Sequence, residues 1–141
     1  MITKGLEDYI EIIYNKISNG EDVKAVDIAH TLKVSRPSVS EALIRLADKD
    51  LIIYEGRKGI KITPLGKIEA QKVIKKHEIL SEFFCEILGI DEKTSGENAC
   101  KIEHVISEDL FDRIMAFQEF CNKDRDFIYK FKKGYTKKKK K

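Results

Sequence analysis

The sequence predicts a mainly α-helical protein with one small β-hairpin, an N-terminal half of short helices and a C-terminal half of longer ones. Apolar residues recur at the i, i+3, i+4, i+7 spacing of amphipathic helices through most of the chain. Two short β-branched runs flank a glycine-bearing turn between Leu51 and Thr63, and Ser35, Thr63 and Ser107 stand where helices should start. A chain of 141 residues with 42% hydrophobic content can bury a core, and suits one domain or two small ones sharing an interface.

The first helix is expected from about Gly5 to Ser18, with Leu6, Tyr9, Ile10, Ile13, Tyr14 and Ile17 inward and Asn19-Gly20 as its stop. Asp8 and Glu11 lie three apart and share a face; two surface acids need no ligand to explain them, though they are also cation donors. A second helix spans about Ala25 to Leu32, with Ile28 and Leu32 inward. Ser35 then caps a third, in which Pro37 occupies the first turn and Val39, Leu43 and Leu46 form the buried stripe. Two helices joined by a turn of three or four residues make a helix-turn-helix, whose second helix reads base edges from its N-terminal end. Ser35, Arg36, Pro37, Ser38, Ser40 and Glu41 crowd that end. The runs Leu51–Tyr54 and Ile60–Thr63 then form a hairpin with Arg57 and Lys58 at its tip. A hairpin in this place is a wing, so Arg57 and Lys58 would contact phosphate while Arg36 contacts bases.

Thr63-Pro64 starts a long helix expected to reach Leu88, with Gly89 as its stop and apolar residues on more than one side near its end. Another helix lies between Ile90 and Ser107, with Ile102, Val105 and Ile106 inward. Ser107 caps a last one containing Leu110, Phe111, Ile114, Met115 and Phe117. These helices carry more apolar surface than so small a bundle uses internally, and a homodimer interface is the natural use for it. Beyond Cys121 come Phe127, Ile128 and Phe131, then lysines from Lys137 to Lys141, expected to be disordered and solvated. The expected organisation is a winged helix-turn-helix DNA-binding domain over residues 1–70, a helical metal-binding and dimerisation domain over 71–122, and a basic tail over 123–141.

The net charge of +3 conceals a partition: residues 1–77 hold fourteen basic and eleven acidic groups, 78–129 five and thirteen, and 130–141 eight lysines and no acid. A basic N-terminal half can face nucleic acid or simply be a solvated face. No apolar run approaches a membrane span and no signal segment precedes the first helix, so the expected location is the cytoplasm without membrane association. Cys85, Cys100 and Cys121 form no Cys-x-x-Cys pair, so neither a disulfide framework nor a zinc ribbon is expected.

Cys100-x-x-Glu103-His104 is the second informative pattern. On a helix these positions turn a thiol, a carboxylate and an imidazole toward one point, half of a transition-metal site. Such triplets also arise by chance. His77 and His30 read equally as partly buried structural histidines, and Cys85 and Cys121 as core residues.

Asp8-Tyr9-Ile10-Glu11, the winged helix-turn-helix, His77-Glu78-Ile79-Leu80 and Cys100-x-x-Glu103-His104 resemble, in that order, the metal-dependent DtxR/MntR regulators over roughly residues 3–121. The likeness is to the short, manganese-regulator branch, without the C-terminal SH3-like domain of the diphtheria toxin repressor branch. It implies a homodimer that takes up a divalent metal and then binds palindromic double-stranded operator DNA, usually repressing metal-uptake genes, and it implies no enzymatic activity. Carried over position by position, the metal ligands are Asp8, Glu11, His77, Glu103 and His104, with Cys100 where the manganese branch has a glutamate and the iron branch a cysteine. The iron branch usually has methionine at the place of Asp8, and its second-site ligands fall here at Ser81 and Gly96, which cannot serve. The set is a hybrid. A thiolate moves preference from Mn²⁺ toward softer ions, so Fe²⁺ is expected first and Mn²⁺ next, with Zn²⁺ or Co²⁺ also accommodated. Two rivals stand beside this reading: a DNA-binding protein with a vestigial metal site, and a small metalloenzyme, for which no further polar cluster is offered.

Overall fold

The computed structural model describes residues 3–139, apart from the side chains of Arg57 and of residues 136–139. The chain divides into two compact units, residues 1–74 and 75–141. It is mainly α-helical, as expected, with a two-stranded antiparallel sheet.

In the first unit, α1 (Lys4–Ser18), α2 (Ala25–Leu32) and α3 (Arg36–Asp48) surround one core. Leu6, Tyr9, Ile10 and Ile13 of α1 meet Ile28 and Ala29 of α2 and Val39, Ala42, Leu43 and Leu46 of α3. Burying each large side chain contributes about 1.5–3 kcal/mol, enough to fix short helices that would be marginal alone. Between α2 and α3, Lys33 takes the left-handed conformation (φ 57°) and donates its backbone N–H to the Ala29 carbonyl, which turns the chain for α3. The Ser35 hydroxyl then accepts from the Ser38 backbone N–H at 3.3 Å, the cap expected from the sequence.

β1 (Ile52–Tyr54) and β2 (Ile60–Ile62) pair Ile52 with Ile62, Ile53 with Lys61 and Tyr54 with Ile60. Each strand is one residue shorter than expected, because Leu51 and Thr63 are committed elsewhere. Thr63 donates its hydroxyl to the Asp50 and Leu51 carbonyls and accepts from the Gly66 N–H, so it joins the hairpin's base to the start of α4 (Pro64–Glu82). A Cβ on Gly66 would overlap the Leu51 carbonyl oxygen, so only glycine lets helix and strand backbones come this close.

In the second unit the long helix does not continue regularly to Leu88. After α4 the chain makes a π-turn over Phe83–Ile87, closed by a bond from the Leu88 N–H to the Phe83 carbonyl, and Gly89 (φ 77°) ends the helix. Phe83 and Ile87 are thereby aimed into a small core with Cys121 and Ile128, and the Phe83 ring meets Phe117 edge-on at 6.2 Å. α5 (Glu92–Ile102) is capped by Asp91, whose carboxylate accepts from the Thr94 N–H at 2.8 Å and from its hydroxyl at 2.9 Å. Those two bonds hold the Asp91 carboxyl below its usual value of 3.8. Ser107 caps α6 (Glu108–Lys123).

Three expectations are corrected. α5 stops at Ile102, so its periodicity does not reach Val105, which is 65% exposed instead of inward. His30 is exposed, not a partly buried structural histidine. The tail forms α7 (Arg125–Lys139), held by Ile128 in the core; Lys140 and Lys141 lie outside the described residues. Ile128 is 5% exposed in that core, an anchor that lysine content alone does not show.

Candidate metal centre and nucleic-acid interface

The last turns of α5 and the middle of α4 bring His77, Cys100 and Glu103 together, with one ligand atom from each within 4.8 Å of the others. Glu103 is the centre of the group. Its side chain is 2% exposed; one carboxylate oxygen lies 2.8 Å from His77 Nδ1 and the other 3.2 Å from His104 Nε2. A buried carboxylate is costly unless its lone pairs are met, and two imidazoles meet them here. Cys100 Sγ lies 3.7 Å from the same His77 Nδ1 and is open to solvent. Glu103 keeps the right-handed helical conformation as the C-cap of α5, so Cys100 and Glu103 remain one turn apart although His104 lies beyond the helix end.

Imidazole nitrogen, thiolate sulfur and carboxylate oxygen form a donor set of intermediate softness, suited to first-row divalent ions. Ligands at about 2.0–2.3 Å from one ion stand roughly 3–4 Å apart, so the three atoms need only small side-chain movements to share one. The residues present fit such an ion. Asp8 and Glu11, half-buried on α1, belong to the other unit. Cys121 is fully buried in the small core, where desolvation pushes its thiol up from the ordinary value, and Cys85 is partly buried; neither joins the group.

In the first unit, Arg36, Pro37, Ser38 and Glu41 are exposed at the start of α3, and Ser40 is half-exposed. Ser35 and Ser38 also share a hydrogen bond at 2.9 Å between their hydroxyls. The sequence reading missed two residues on the same exposed face. Arg45 pairs with Glu41 at 3.9 Å, and Ile44 is 53% exposed. The signal was available: both stand three or four residues after Glu41, hence on its side of the helix. At the hairpin tip a 3-10 turn, Gly56–Lys58, carries Arg57 and an exposed Lys58.

A winged helix-turn-helix in one unit and a cluster of transition-metal donors in another define a DNA-binding protein with a metal-binding helical part. Residues 1–60 match the family model described as iron dependent repressor, N-terminal DNA binding domain, and residues 63–126 match iron dependent repressor, metal binding and dimerisation domain. The chain belongs to this family of metal-dependent repressors, the DtxR/MntR regulators that its motifs resemble; they are transcriptional regulators, not enzymes. It is 35% identical over 84% of its length to an uncharacterised helix-turn-helix-type transcriptional regulator of Methanocaldococcus jannaschii, covering 95% of that protein. To the helix-turn-helix-type transcriptional regulator MntR of Lysinibacillus sphaericus it is 30% identical over 96% of its length, covering 97% of the relative. Among solved structures it is similar to the manganese regulator SloR (TM-score 0.69, 29% identity), which it matches over 85% of its own length and 55% of that chain. No helix among the described residues is long and apolar enough to cross a membrane.

Proposed function

We propose that this protein is a metal-activated repressor that binds palindromic operator DNA as a homodimer, controls metal-uptake genes in the cytoplasm, and answers to Fe²⁺ first and Mn²⁺ second. The observation that carries the proposal is the convergence of His77, Cys100 and Glu103 on one point in the unit that matches the family's metal-binding and dimerisation domain. His104, which shares the Glu103 carboxylate, completes the proposed ligands of this unit. Asp8 and Glu11 are kept in the set on the resemblance and not on geometry.

A bound divalent cation supplies the positive charge that lets a thiolate and a carboxylate stand side by side. Glu103 stands within hydrogen-bond reach of His77 and His104, so the donor atoms are gathered before any ion arrives, and an ion would take the place of these mutual contacts. Cys100, the exposed member, gives access and selects for softness. Binding of metal and binding of operator are then linked reciprocally: an ion that prefers the DNA-competent form raises its population, and operator raises affinity for the ion by the same factor. On the DNA side, Arg36 with Ser35, Pro37, Ser38, Ser40 and Glu41 form the proposed reading end of α3. Arg57 and Lys58 are the proposed phosphate contacts of the wing. Exposed Leu110, Phe117 and Phe120 on α6 remain available to a second copy.

The test is DNA binding followed during titration with Fe²⁺, Mn²⁺, Co²⁺ and Zn²⁺ under anaerobic conditions. Wild-type protein should bind operator only with metal, while His77→Ala and Glu103→Ala should lose the response to metal and to chelator. Operator affinity unchanged in both variants, with and without chelator, would sink the proposal and leave the vestigial-site reading.

A further inference from the structure

On the exposed face of α3 one large side chain carries no polar group. Ile44 is 53% exposed and takes no part in the core of the first unit, although that core draws Val39, Ala42, Leu43 and Leu46 from the same helix. At about 100° per residue it is turned roughly 100–160° away from those core residues and lies within about 60° of Pro37, Ser40 and Glu41. Pro37, Ser40, Glu41 and Ile44 thus stand at i, i+3, i+4 and i+7, the spacing at which a helix in the major groove offers one row of side chains to base edges. The neighbours of Ile44 one turn away on this face are polar, with Ser40 and Glu41 before it and the exposed Asp48 after it, while Ala47 packs against the core. Arg45 stands 3.9 Å from Glu41 and offsets its charge. A helix face meant only for solvent gains nothing from such a residue, because a β-branched side chain loses rotamer freedom in a helix and leaves its methyl groups in water.

We infer that Ile44 reads sequence in operator DNA by packing against the 5-methyl group of a thymine in the major groove. The inference rests on the DNA-binding reading of the first unit and adds to its polar contacts an apolar one that selects a base. The chemistry of the groove leaves one candidate for this side chain. Guanine, adenine and cytosine present hydrogen-bond donors and acceptors there, and thymine alone presents a methyl group. Against a donor or acceptor, Ile44 would displace water and return no hydrogen bond, which is a penalty. Against a methyl group it removes apolar surface from water on both sides of the contact. The rival occupant of an exposed isoleucine is another protein surface. Docking surfaces of that kind are contiguous apolar patches, whereas Ile44 stands singly among Ser40, Glu41, Arg45 and Asp48.

The experiment uses the full-length protein with Fe²⁺ under anaerobic conditions. A duplex is selected from a random-sequence library, and each of its thymines is then replaced in turn by deoxyuridine, which removes the 5-methyl group and keeps the hydrogen-bonding edge. Affinities are measured by fluorescence anisotropy for wild type, for Ile44→Ala, and for Ile53→Ala, which truncates an exposed isoleucine on the hairpin instead. At one thymine in each half-site, loss of the methyl group should weaken wild-type binding by about fourfold, the worth of one buried methylene-sized group. Ile44→Ala should bind the thymine and uracil duplexes equally there, and Ile53→Ala should keep the wild-type difference. A fresh selection with Ile44→Ala should lose the preference for thymine at that position and keep the rest of the site. The substitution places a better helix former at an exposed position, so the fold is retained, and circular dichroism checks it. If every uracil replacement costs Ile44→Ala as much as it costs wild type, the inference alone is overturned. Equal weakening of Ile44→Ala on thymine, uracil and random duplexes also overturns it and assigns Ile44 to a protein contact. Enrichment of no sequence by the wild-type protein would remove the DNA reading, and this inference with it.

Discussion

A sulfur among nitrogen and oxygen donors changes the order in which metals are held, and Cys100 is the one soft atom in the cluster with His77 and Glu103. Replacing it by a carboxylate keeps the charge of the ionised ligand and hardens the set. Cys100→Glu should therefore shift activation from Fe²⁺ toward Mn²⁺, read as the concentration of each ion that gives half-maximal DNA binding, and Cys100→Ser should weaken the response to every ion. If the ratio of Fe²⁺ to Mn²⁺ concentrations does not move in Cys100→Glu, the sulfur is not a ligand and the preference for iron goes with it. Gly66 is a second residue whose neighbours decide its role. In an open helix, alanine would be favoured over glycine by about 0.5–1 kcal/mol. Here a Cβ would meet the Leu51 carbonyl, so Gly66→Ala should destabilise the protein by about 1–3 kcal/mol in urea unfolding. A stability gain would show that the close approach of α4 to Leu51 is not maintained in solution.

Among the elements, helix starts were the most legible. Ser35 and Ser107 each accept from a backbone N–H three residues on, which is local chemistry and depends on nothing distant. Helix ends were less so. α5 stops at Ile102 before any glycine or proline, so apolar spacing alone carried the expectation on to Val105 and Ile106. The π-turn leaves no mark in a sequence read at a period of 3.6, because it only re-aims side chains that are apolar on either reading. In the candidate metal centre, the nearness of Cys100 and Glu103 was legible from helical spacing. The approach of His77, 26 residues from Glu103 in the chain, was not; it came only through the family likeness. Ile44 and Arg45 lie beyond the N-terminal turns where base-reading residues are expected, because the exposed face of α3 runs further along the helix.

For the molecule as a whole, a ligand that binds the native chain and not the unfolded one must stabilise it. At a hundredfold excess over its dissociation constant the gain is about 2.7 kcal/mol. Under the proposed ligand set, Fe²⁺ or Mn²⁺ without any DNA should raise the midpoint of thermal unfolding of the wild-type chain, and His77→Ala should abolish the rise. A rise of equal size in His77→Ala would place the stabilising ion somewhere else on the protein. The division of charge has a meaning at this scale too. Acids gather over residues 78–129 and lysines over 130–141, so the charge changes sign from one stretch to the next and a net charge of +3 describes neither.

The π-turn at Phe83–Ile87 also bears on how chains of this kind diverge. A π-turn is an α-helix that has accommodated one more residue without breaking. His77 precedes it by more than a full turn and keeps its place whether or not the extra residue is present. In a regular α-helix one extra residue would rotate everything after it by about 100° about the helix axis, whereas the wider π-turn takes that residue up, so that His77 before it and the segment after it can keep their facing. One extra residue at this point is in that sense inexpensive for the proposed ligand His77, and its effect falls on Phe83 and Ile87, the residues of the turn itself that enter the small core.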